Sequence, residues 1–320
     1  MNRISGYLFA AFVVLAAGFA FSPRKPPPLP PTEVRIDTAL LLDARRAGAR
    51  LVAAGEQGRI FVSADGAGWR LASTDSTATL TALAFADARH GLAAGHDMTL
   101  LRSSDGGTSW RTVFAAPEQQ RPLLAVLFLD AARAIAVGAY GAYLESADGG
   151  QSWTERQVAA DDRHFNAIAQ LAGGRLLLAG EAGALLGSDD GGAAWRPLPS
   201  PYAGSFFGLL PLADGAVLAY GMRGHIFRSA DGGATWQAAQ SAGTDALFGG
   251  HVRADGRIVL AGQNGVVLAS ADGGRSFARV ATQASRTLTA VLDAPAAPQT
   301  ALLFGDGGVA PLDMTGSGSP

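Results

Sequence analysis

Short apolar runs with strand-like alternation recur along the chain after residue 35, and each is bounded by Asp or Gly. Examples are residues 80–87, Leu-Thr-Ala-Leu-Ala-Phe-Ala-Asp, and residues 123–130, Leu-Leu-Ala-Val-Leu-Phe-Leu-Asp. Runs of this length between turn residues predict β-strands joined by tight hairpins. This part of the sequence has no helical periodicity with caps at both ends. The pattern therefore predicts an all-β protein.

Each apolar run begins a unit with a constant internal order. A polar turn follows the run, then a strand of small residues ending in Gly, a strand carrying a Ser-x-Asp-Gly box, and a strand that starts at an aromatic residue. The box aspartates are 40, 43, 42, 41 and 41 residues apart. A fixed period of about forty residues is typical of a four-stranded propeller blade. The box positions are Asp65 and Trp69, Asp105 and Trp110, Asp148 and Trp153, Asp190 and Trp195, Asp231 and Trp236, and Asp272 and Phe277.

Seven units carry a Gly-x-x-Gly turn, in one of which Met98 replaces the second glycine. The glycines are expected to supply positive φ in these hairpins. The seventh unit has no box and ends near Asp313 without an outer strand. A propeller has to close its ring, because an open sheet edge exposes unpaired backbone groups. We therefore predict a seven-bladed β-propeller over residues 34–314, in which Val34–Asp37 form the outer strand of the last blade. The turns begin at Gly55, Gly95, Gly138, Gly180, Gly221, Gly262 and Gly305.

The boxes are expected to be structural. An aspartate carboxylate accepts hydrogen bonds from the backbone N–H groups of a turn, and glycines tolerate left-handed conformations there. All five tryptophans occupy the same box position, which indicates packing between blades and not one active site. The boxes resemble calcium loops superficially, but the oxygen ligands at alternate positions are missing. No metal site is therefore expected.

The first 22 residues are predicted to be a signal peptide or a signal anchor. Residues 4–21 are an uncharged, mostly apolar run whose length lies between a signal-peptide core and a minimal membrane span. The Pro-rich residues 23–33 predict an extended linker, which favours a propeller that stays tethered. Residues 315–320 predict a disordered tail. Cleaved or anchored, the propeller is expected on the periplasmic side of the inner membrane.

Composition excludes several classes of function. Only 16% of the residues are charged and the formal net charge is −2, so there is no electrostatic case for binding nucleic acid. Cysteine is absent, which excludes disulfides, thiolate metal sites and thiol nucleophiles. Zinc-protease, serine-hydrolase and phosphate-loop motifs do not occur in the sequence. We predict no catalytic residue and no cofactor, and we expect a monomer.

Partner binding is expected on the face that carries the links between blades. In a propeller the box turns lie on one face, and the Gly-x-x-Gly turns share the other face with these links, whose sequences vary. Arginines there can form a scattered basic patch that holds an acidic peptide; the alternative is a set of solvated loop tips. Histidines lie on different blades without ligand spacing, and the adjacent Asp161 and Asp162 are not placed as an acid–base pair. The candidate residues are Arg121, Arg163, His164, Tyr202, Arg223 and Arg286.

The boxes match the Asp-box, or bacterial neuraminidase (BNR) repeat, with consensus Ser-x-Asp-x-Gly-x-Thr-Trp. Over residues 34–314 the chain resembles the seven-bladed photosystem II assembly and stability factors, a family with relatives in non-photosynthetic bacteria, of which this chain is expected to be one. The piece Gly221-Met-Arg223-Gly224-His-Ile-Phe-Arg228-Ser229 is similar to a hairpin of that family. The resemblance implies a chaperone-like factor, not an enzyme, that binds a newly made membrane subunit through surface arginines. Only Arg223 is carried over by motif.

Sialidases also carry the Asp-box and give the alternative reading, a glycan hydrolase or carbohydrate-binding propeller. Val34-Arg-Ile-Asp37 has the Arg-Ile of a sialidase motif without its proline, and the tyrosines have no evident glutamate partner. We therefore predict a non-catalytic, protein-binding platform that assists the assembly, stability or operation of an inner-membrane protein complex. A transporter and a photosynthetic complex are equally good clients on the sequence.

Overall fold

The computed structural model describes residues 3–22, 35–280 and 286–315. The chain divides into two compact units, residues 1–34 and 35–320. The first contains one helix, α1 (Arg3–Ala20). Within the described ranges, no helix combines the length and the apolarity needed to cross a membrane. The predicted linker, residues 23–33, and the predicted tail beyond Thr315 lie outside the described residues.

The second unit is a seven-bladed β-propeller, as predicted, whose blades are antiparallel sheets with strands in chain order from the centre outward. Blade 1 contains β1 (Leu41–Ala47), β2 (Arg50–Gly55), β3 (Ile60–Ser63) and β4 (Trp69–Leu71). The short β5 (Ser73–Thr74) follows and pairs in parallel with the outer strand of blade 2. Blade 2 contains β6 (Leu80–Phe85), β7 (Gly91–Gly95), β8 (Leu100–Ser103) and β9 (Ser109–Phe114). Blade 3 contains β10 (Leu123–Phe128), β11 (Ala134–Gly138), β12 (Tyr143–Ser146) and β13 (Thr154–Glu155).

The remaining blades repeat this plan. Blade 4 contains β14 (Phe165–Gln170), β15 (Leu176–Gly180), β16 (Leu185–Ser188) and β17 (Arg196–Pro197). Blade 5 contains β18 (Phe206–Pro211), β19 (Val217–Gly221), β20 (Ile226–Ser229) and β21 (Gln237–Ala238), and β22 (Gln240–Ser241) pairs in parallel with the next blade. Blade 6 contains β23 (Leu247–Val252), β24 (Ile258–Gly262), β25 (Val267–Ser270) and β26 (Ser276–Arg279). Blade 7 contains β27 (Leu288–Asp293), β28 (Thr300–Gly305) and β29 (Gly308–Asp313).

The ring closes differently from the prediction. Residues Ile36–Thr38 form a 3₁₀ helix and not an outer strand, and blade 7 has three strands among the described residues; Val34 lies outside them. The N-terminal segment still reaches blade 7, because the carbonyl of Ile36 packs directly over Gly308. In blade 1 the equivalent glycine, Gly58, packs under the carbonyl of Ser76 in the link to blade 2. Residues 35–40 therefore act as the link from blade 7 to blade 1.

The two glycines of each Gly-x-x-Gly turn have different physical roles. The prediction of a positive φ is wrong for Gly55, which has an extended φ of −166°. Gly55 is needed because a Cβ there would overlap the carbonyl of Leu40. Gly58 has φ +67°, as predicted for a tight turn. The residue between them, Gln57, is also left-handed, with φ +56°. The turn is a short 3₁₀ helix in five blades, at Glu56–Gly58, Ala139–Gly141, Glu181–Gly183, Met222–Gly224 and Gln263–Gly265.

The apolar core lies between neighbouring blades. Val52 of blade 1, for example, packs in one cluster with Leu80, Leu83 and Trp110 of blade 2. In five blades the second strand is buried along its whole length, and in blades 1 and 7 it is buried after its first residue. This burial explains the small residues of the second strands. The seven inner strands surround a central channel of about 750 Å³.

Candidate partner-binding site

The Asp-box is a self-contained turn in which the aspartate carboxylate accepts hydrogen bonds from residues of the same box. Asp148 Oδ1 accepts hydrogen bonds from the Ser146 hydroxyl (2.8 Å) and from the Ser152 amide (2.9 Å), and Oδ2 accepts one from the Ser152 hydroxyl (2.6 Å). These bonds favour the charged carboxylate and lower the pKa of Asp148. The same bonds from Thr235 lower the pKa of Asp231 to about 2. All of these donors belong to the box turn itself, as expected of an aspartate that stabilises a turn.

The box tryptophans pack between strands and blades. Trp110 is 2% exposed, its Nε1 donates to the carbonyl of Gly107 (2.8 Å), and its ring meets Phe85 edge-on. Trp195 meets Tyr143 of the preceding blade in the same way, at 6.0 Å between ring centroids. The geometry of the boxes is that of a structural device repeated around the ring.

The described ranges contain no cluster suited to a metal ion, and the described channel lining contains no pair of carboxylates. No group of three His, Asp or Glu residues in residues 3–22, 35–280 and 286–315 is placed to hold a metal ion. Among the described residues that line the channel, Asp43 is the single carboxylate. Glycoside hydrolysis of the usual kind needs two carboxyl groups facing each other across the substrate.

The face that carries the links, called here the link face, presents a ring of variable residues. In six of the seven turns, the third residue of the Gly-x-x-Gly sequence has φ between +50° and +57° and is exposed. We call these the tip positions. A left-handed backbone costs about 1–2 kcal/mol for a residue with a Cβ, and Asn or Asp reduces that cost. Tyr140 and Arg223 nevertheless occupy tip positions. The tip positions are Gln57, Asp97, Tyr140, Ala182, Arg223 and Asn264.

Two of the predicted residues, Arg121 and Arg286, are held by neighbouring groups. Arg121 Nη2 lies 2.6 Å from Glu155 Oε1, so an acidic side chain offsets its charge. Arg286 lies in the link to blade 7 and donates from Nη1 to the carbonyl of Gly307 (2.9 Å). Its buried Nε has no hydrogen-bond partner among the residues described.

Arg163 and His164 form a patch at the junction of blades 3 and 4. The His164 ring lies 4.8 Å from the ring of Tyr140, and its Nδ1 is 3.8 Å from Glu181 Oε2. Tyr140 is 55% exposed. Arg163 forms an ion pair with Asp161, and the hydrogen bond raises the pKa of Arg163. We call Tyr140, Arg163, His164 and Glu181 the blade 3–4 patch.

An apolar pocket of about 550 Å³ adjoins the blade 3–4 patch. Arg163 and Asp161 lie in its wall, and the link before β14 and the outer part of blade 4 supply the rest. A concave apolar pocket beside an exposed aromatic and a cation is typical of the centre of a protein interface. Its other lining residues include Val158, Phe165, Leu186, Trp195 and Leu198.

The predicted residues Tyr202 and Arg223 lie one blade further on. The Tyr202 ring is 4.3 Å from that of His225 and also contacts Phe227. Arg223, at its tip position, is exposed and has no hydrogen bond or ion pair with any other described residue. Arg223 is thus a free cation on the link face, whereas Arg121 and Arg163 are paired with acids.

Sequence reasoning placed Tyr140 and His225 on the link face without selecting them as candidates, and it missed the channel residues Asp43, Arg45 and Tyr220. A signal was present in the repeat itself. Asp43 stands where four other blades have alanine and two have glycine, and Tyr220 precedes Gly221 where most blades have alanine or valine. Departures from a repeat mark positions with a particular environment.

Comparison with known proteins places the fold in context. Residues 112–256 match the family model described as "Photosynthesis system II assembly factor YCF48". This stretch runs from the last strand of blade 2 to the turn after the first strand of blade 6. No curated protein sequence matches the chain significantly.

Solved structures share the propeller at low sequence identity. The structure "YCF48 bound to D1 peptide" has a TM-score of 0.70 and 18% identity, and the match covers 91% of this chain and 100% of that one. YCF48 from Cyanidioschyzon merolae has a TM-score of 0.68 and 15% identity, covering 86% and 96%. A GH74 xyloglucanase from Xanthomonas campestris has a TM-score of 0.67 and 15% identity, covering 90% of this chain and 54% of the enzyme. The family match and the shared fold confirm the resemblance to the photosystem II assembly factor family that the Asp-boxes predict.

Proposed function

We propose that this protein is a non-catalytic platform that binds a membrane protein and assists the assembly, stability or operation of its complex. The observation that carries this proposal is the blade 3–4 patch: an exposed tyrosine in a left-handed conformation, a histidine against its ring, an arginine, and an apolar pocket beside them.

The chemistry of the patch suits an extended protein segment with one large apolar side chain and an acidic group nearby. The pocket, with Arg163 in its wall, would take the apolar side chain, and the free Arg223, one blade further on, would attract the acid. Tyrosine and arginine contribute strongly to protein interfaces because they bury much surface in few rotamers. The similar YCF48 structure with a D1 peptide supports a peptide-like partner for this chain as well.

We propose further that the propeller works on the periplasmic side of the inner membrane, either tethered by residues 4–21 or released after cleavage. The support is the apolar N-terminal run followed by a Pro-rich stretch. Carbonate extraction of membranes followed by N-terminal sequencing tests this. A membrane-retained intact chain indicates a tether, a soluble product starting near Phe21 indicates secretion, and cytoplasmic accumulation contradicts the proposal.

Crosslinking in membranes, followed by affinity purification of the tagged full chain, tests the binding role. We expect a defined membrane partner that is lost when Tyr140→Ala is combined with Arg163→Glu. Alanine is tolerated at the tip position, since Ala182 has φ +50° there. Arg89→Glu is the matched control, because Arg89 is exposed at a turn on the opposite face.

Two outcomes contradict the proposal. One is a partner that the double variant retains and Arg89→Glu loses, which would move the binding site to the opposite face. The other is turnover of a fluorogenic glycoside that a single carboxylate substitution abolishes, which would make the protein a hydrolase.

A further inference from the structure

The inner strands carry a ring of seven β-bulges at the link-face end of the channel. In every blade the register between the first two strands shifts after the first residue, as between Leu41 and Asp43, so that the second residue has no partner. A bulge redirects the side chain of the extra residue. All seven bulge residues line the channel and are half-buried: Leu42, Thr81, Leu124, Asn166, Phe207, Phe248 and Thr289.

The polar bulge residues donate hydrogen bonds to backbone carbonyls of the next blade. Thr81 Oγ1 donates to the carbonyl of Leu123 (2.6 Å), Asn166 Nδ2 to that of Phe206 (2.8 Å), and Thr289 Oγ1 to that of Leu41 (2.9 Å). Their polar atoms are thus engaged within the protein. The other four bulge residues are apolar, and the rings of Phe207 and Phe248 lie 5.3 Å apart. This end of the channel therefore presents an apolar surface.

Further along the channel axis, toward the face that carries the boxes, the described lining contains one cation. Arg45 lies in the channel wall, and the Arg45 side chain is half-exposed. Its Nε donates to the carbonyl of Leu83 (3.2 Å), and its Nη2 lies 3.4 Å from Asp43 Oδ2. Nη1 has no partner in the part of the chain that the structure describes. Asp43 already accepts two backbone N–H bonds, from Ala44 and Leu83, so it offsets the guanidinium only in part.

Tyr220 adds a hydroxyl donor to the wall of the channel. It is the one second-strand residue among the described lining residues. Glycines make room for it: a Cβ on Gly250 of the next blade would lie 2.7 Å from the Tyr220 hydroxyl oxygen, and one on Gly208 would overlap its ring. Burial raises the pKa of Tyr220, so the hydroxyl keeps its proton.

We propose that the central channel binds an amphipathic monocarboxylate, with the apolar body among the four apolar bulge residues and the carboxylate on the guanidinium of Arg45. The volume of about 750 Å³ lies in the range of small-molecule sites, which are mostly apolar with a few convergent polar groups. A six-residue inner strand spans about 20 Å, which is long enough for a medium alkyl chain in extended form. This site is separate from the blade 3–4 patch and does not depend on the proposed function.

Calorimetric titration of the full chain with decanoate, below its micelle concentration, tests the proposal. We expect saturable binding at one site per chain, and weaker binding of decan-1-ol, which lacks the charge. Arg45→Met should lower the affinity for decanoate by at least about tenfold, because a charge-assisted hydrogen bond is lost. It should leave the affinity for decan-1-ol unchanged. Arg111→Met, at an exposed position of β9, is the control and should bind decanoate like the parent.

Phe248→Thr tests the apolar end of the channel, and it keeps the proposal testable if Arg45→Met fails to fold. Threonine occupies the same bulge position in blades 2 and 7, as Thr81 and Thr289, so the backbone accepts it. This variant should weaken decanoate and decan-1-ol alike, by about tenfold for the lost apolar contact. The proposal is overturned if decanoate shows no saturable binding, or if binding is the same in the parent, in folded Arg45→Met and in Phe248→Thr. The last result would indicate adsorption elsewhere, for example on α1.

Discussion

Asp43 of blade 1 accepts a hydrogen bond from the backbone N–H of Leu83 in blade 2, with 2.8 Å between Oδ2 and N. Arg45 donates to the carbonyl of the same residue, so both backbone groups of Leu83 are bound from the neighbouring blade. Burial raises the pKa of Asp43, which shows that this carboxylate is costly to keep charged. It is retained at a blade junction where other blades have only alanine or glycine.

Asp43→Ala should lower the free energy of unfolding by about 1–3 kcal/mol, because the Leu83 N–H is left buried without an acceptor. The smaller side chain itself fits, since Ala82 and Ala125 stand at the equivalent positions. Chemical denaturation measures the effect. Asp162→Ala, at an exposed link residue, is the control and should change stability little. Equal stability of both variants would show that the bond to Leu83 contributes nothing.

Trp110→Ala should lower the free energy of unfolding by about 3–5 kcal/mol, as other large core truncations do. Trp110 is 2% exposed and packs with Val52 and Leu83. Trp153→Ala should cost less, because Trp153 is only partly buried. A Trp110 variant of unchanged stability that lost binding of a partner would mean that the box is a binding device.

The closure of the ring depends on the contact between Ile36 and Gly308. Gly308→Ala should destabilise more than Gly215→Ala, although the two glycines have nearly the same φ, +81° and +82°. A Cβ on Gly308 overlaps the Ile36 carbonyl, whereas one on Gly215 meets nothing within 4 Å. The shared backbone strain is about 1–2 kcal/mol, and the difference between the variants reports the overlap.

Deletion of residues 1–38 gives the matching test by thermal denaturation. Without Ile36, Gly308→Ala should cost no more than Gly215→Ala. If the two substitutions still differ as much in the shortened chain as in the full chain, the contact with Ile36 does not close the ring.

The boxes should make stability depend on pH in the acid range. Hydrogen bonds from Thr235 lower the pKa of Asp231 to about 2 in the folded protein, below its ordinary value of 3.8. A carboxyl group whose pKa is lower in the folded than in the unfolded protein stabilises the fold at any pH above its unfolded-state pKa. This stabilisation is lost as the pH falls through the folded-state pKa. The difference in melting temperature between the parent and Asp231→Ala should therefore be full at pH 7 and shrink from about pH 4 to about pH 2. A difference that stays constant over this range would assign the effect to packing.

The sequence by itself determined the seven units, the box turns and the all-β class, because these rest on local patterns of two to eight residues that repeat with a fixed period. Turn chemistry is local as well: Asp148 binds groups within four residues of itself. The positive φ of Gly58 was equally readable from the pattern.

Only the tertiary structure decided which residues meet across blades. The need for Gly55 comes from the carbonyl of Leu40, and the closing role of Ile36 comes from Gly308, at the other end of the chain. The ion pair of Arg121 with Glu155 likewise joins a link residue to the outer strand of blade 3, 34 residues later in the chain. Such contacts depend on the radial packing of blades about a common axis, which a one-dimensional period does not encode. The bulge ring and the channel exist only once all seven inner strands stand around that axis.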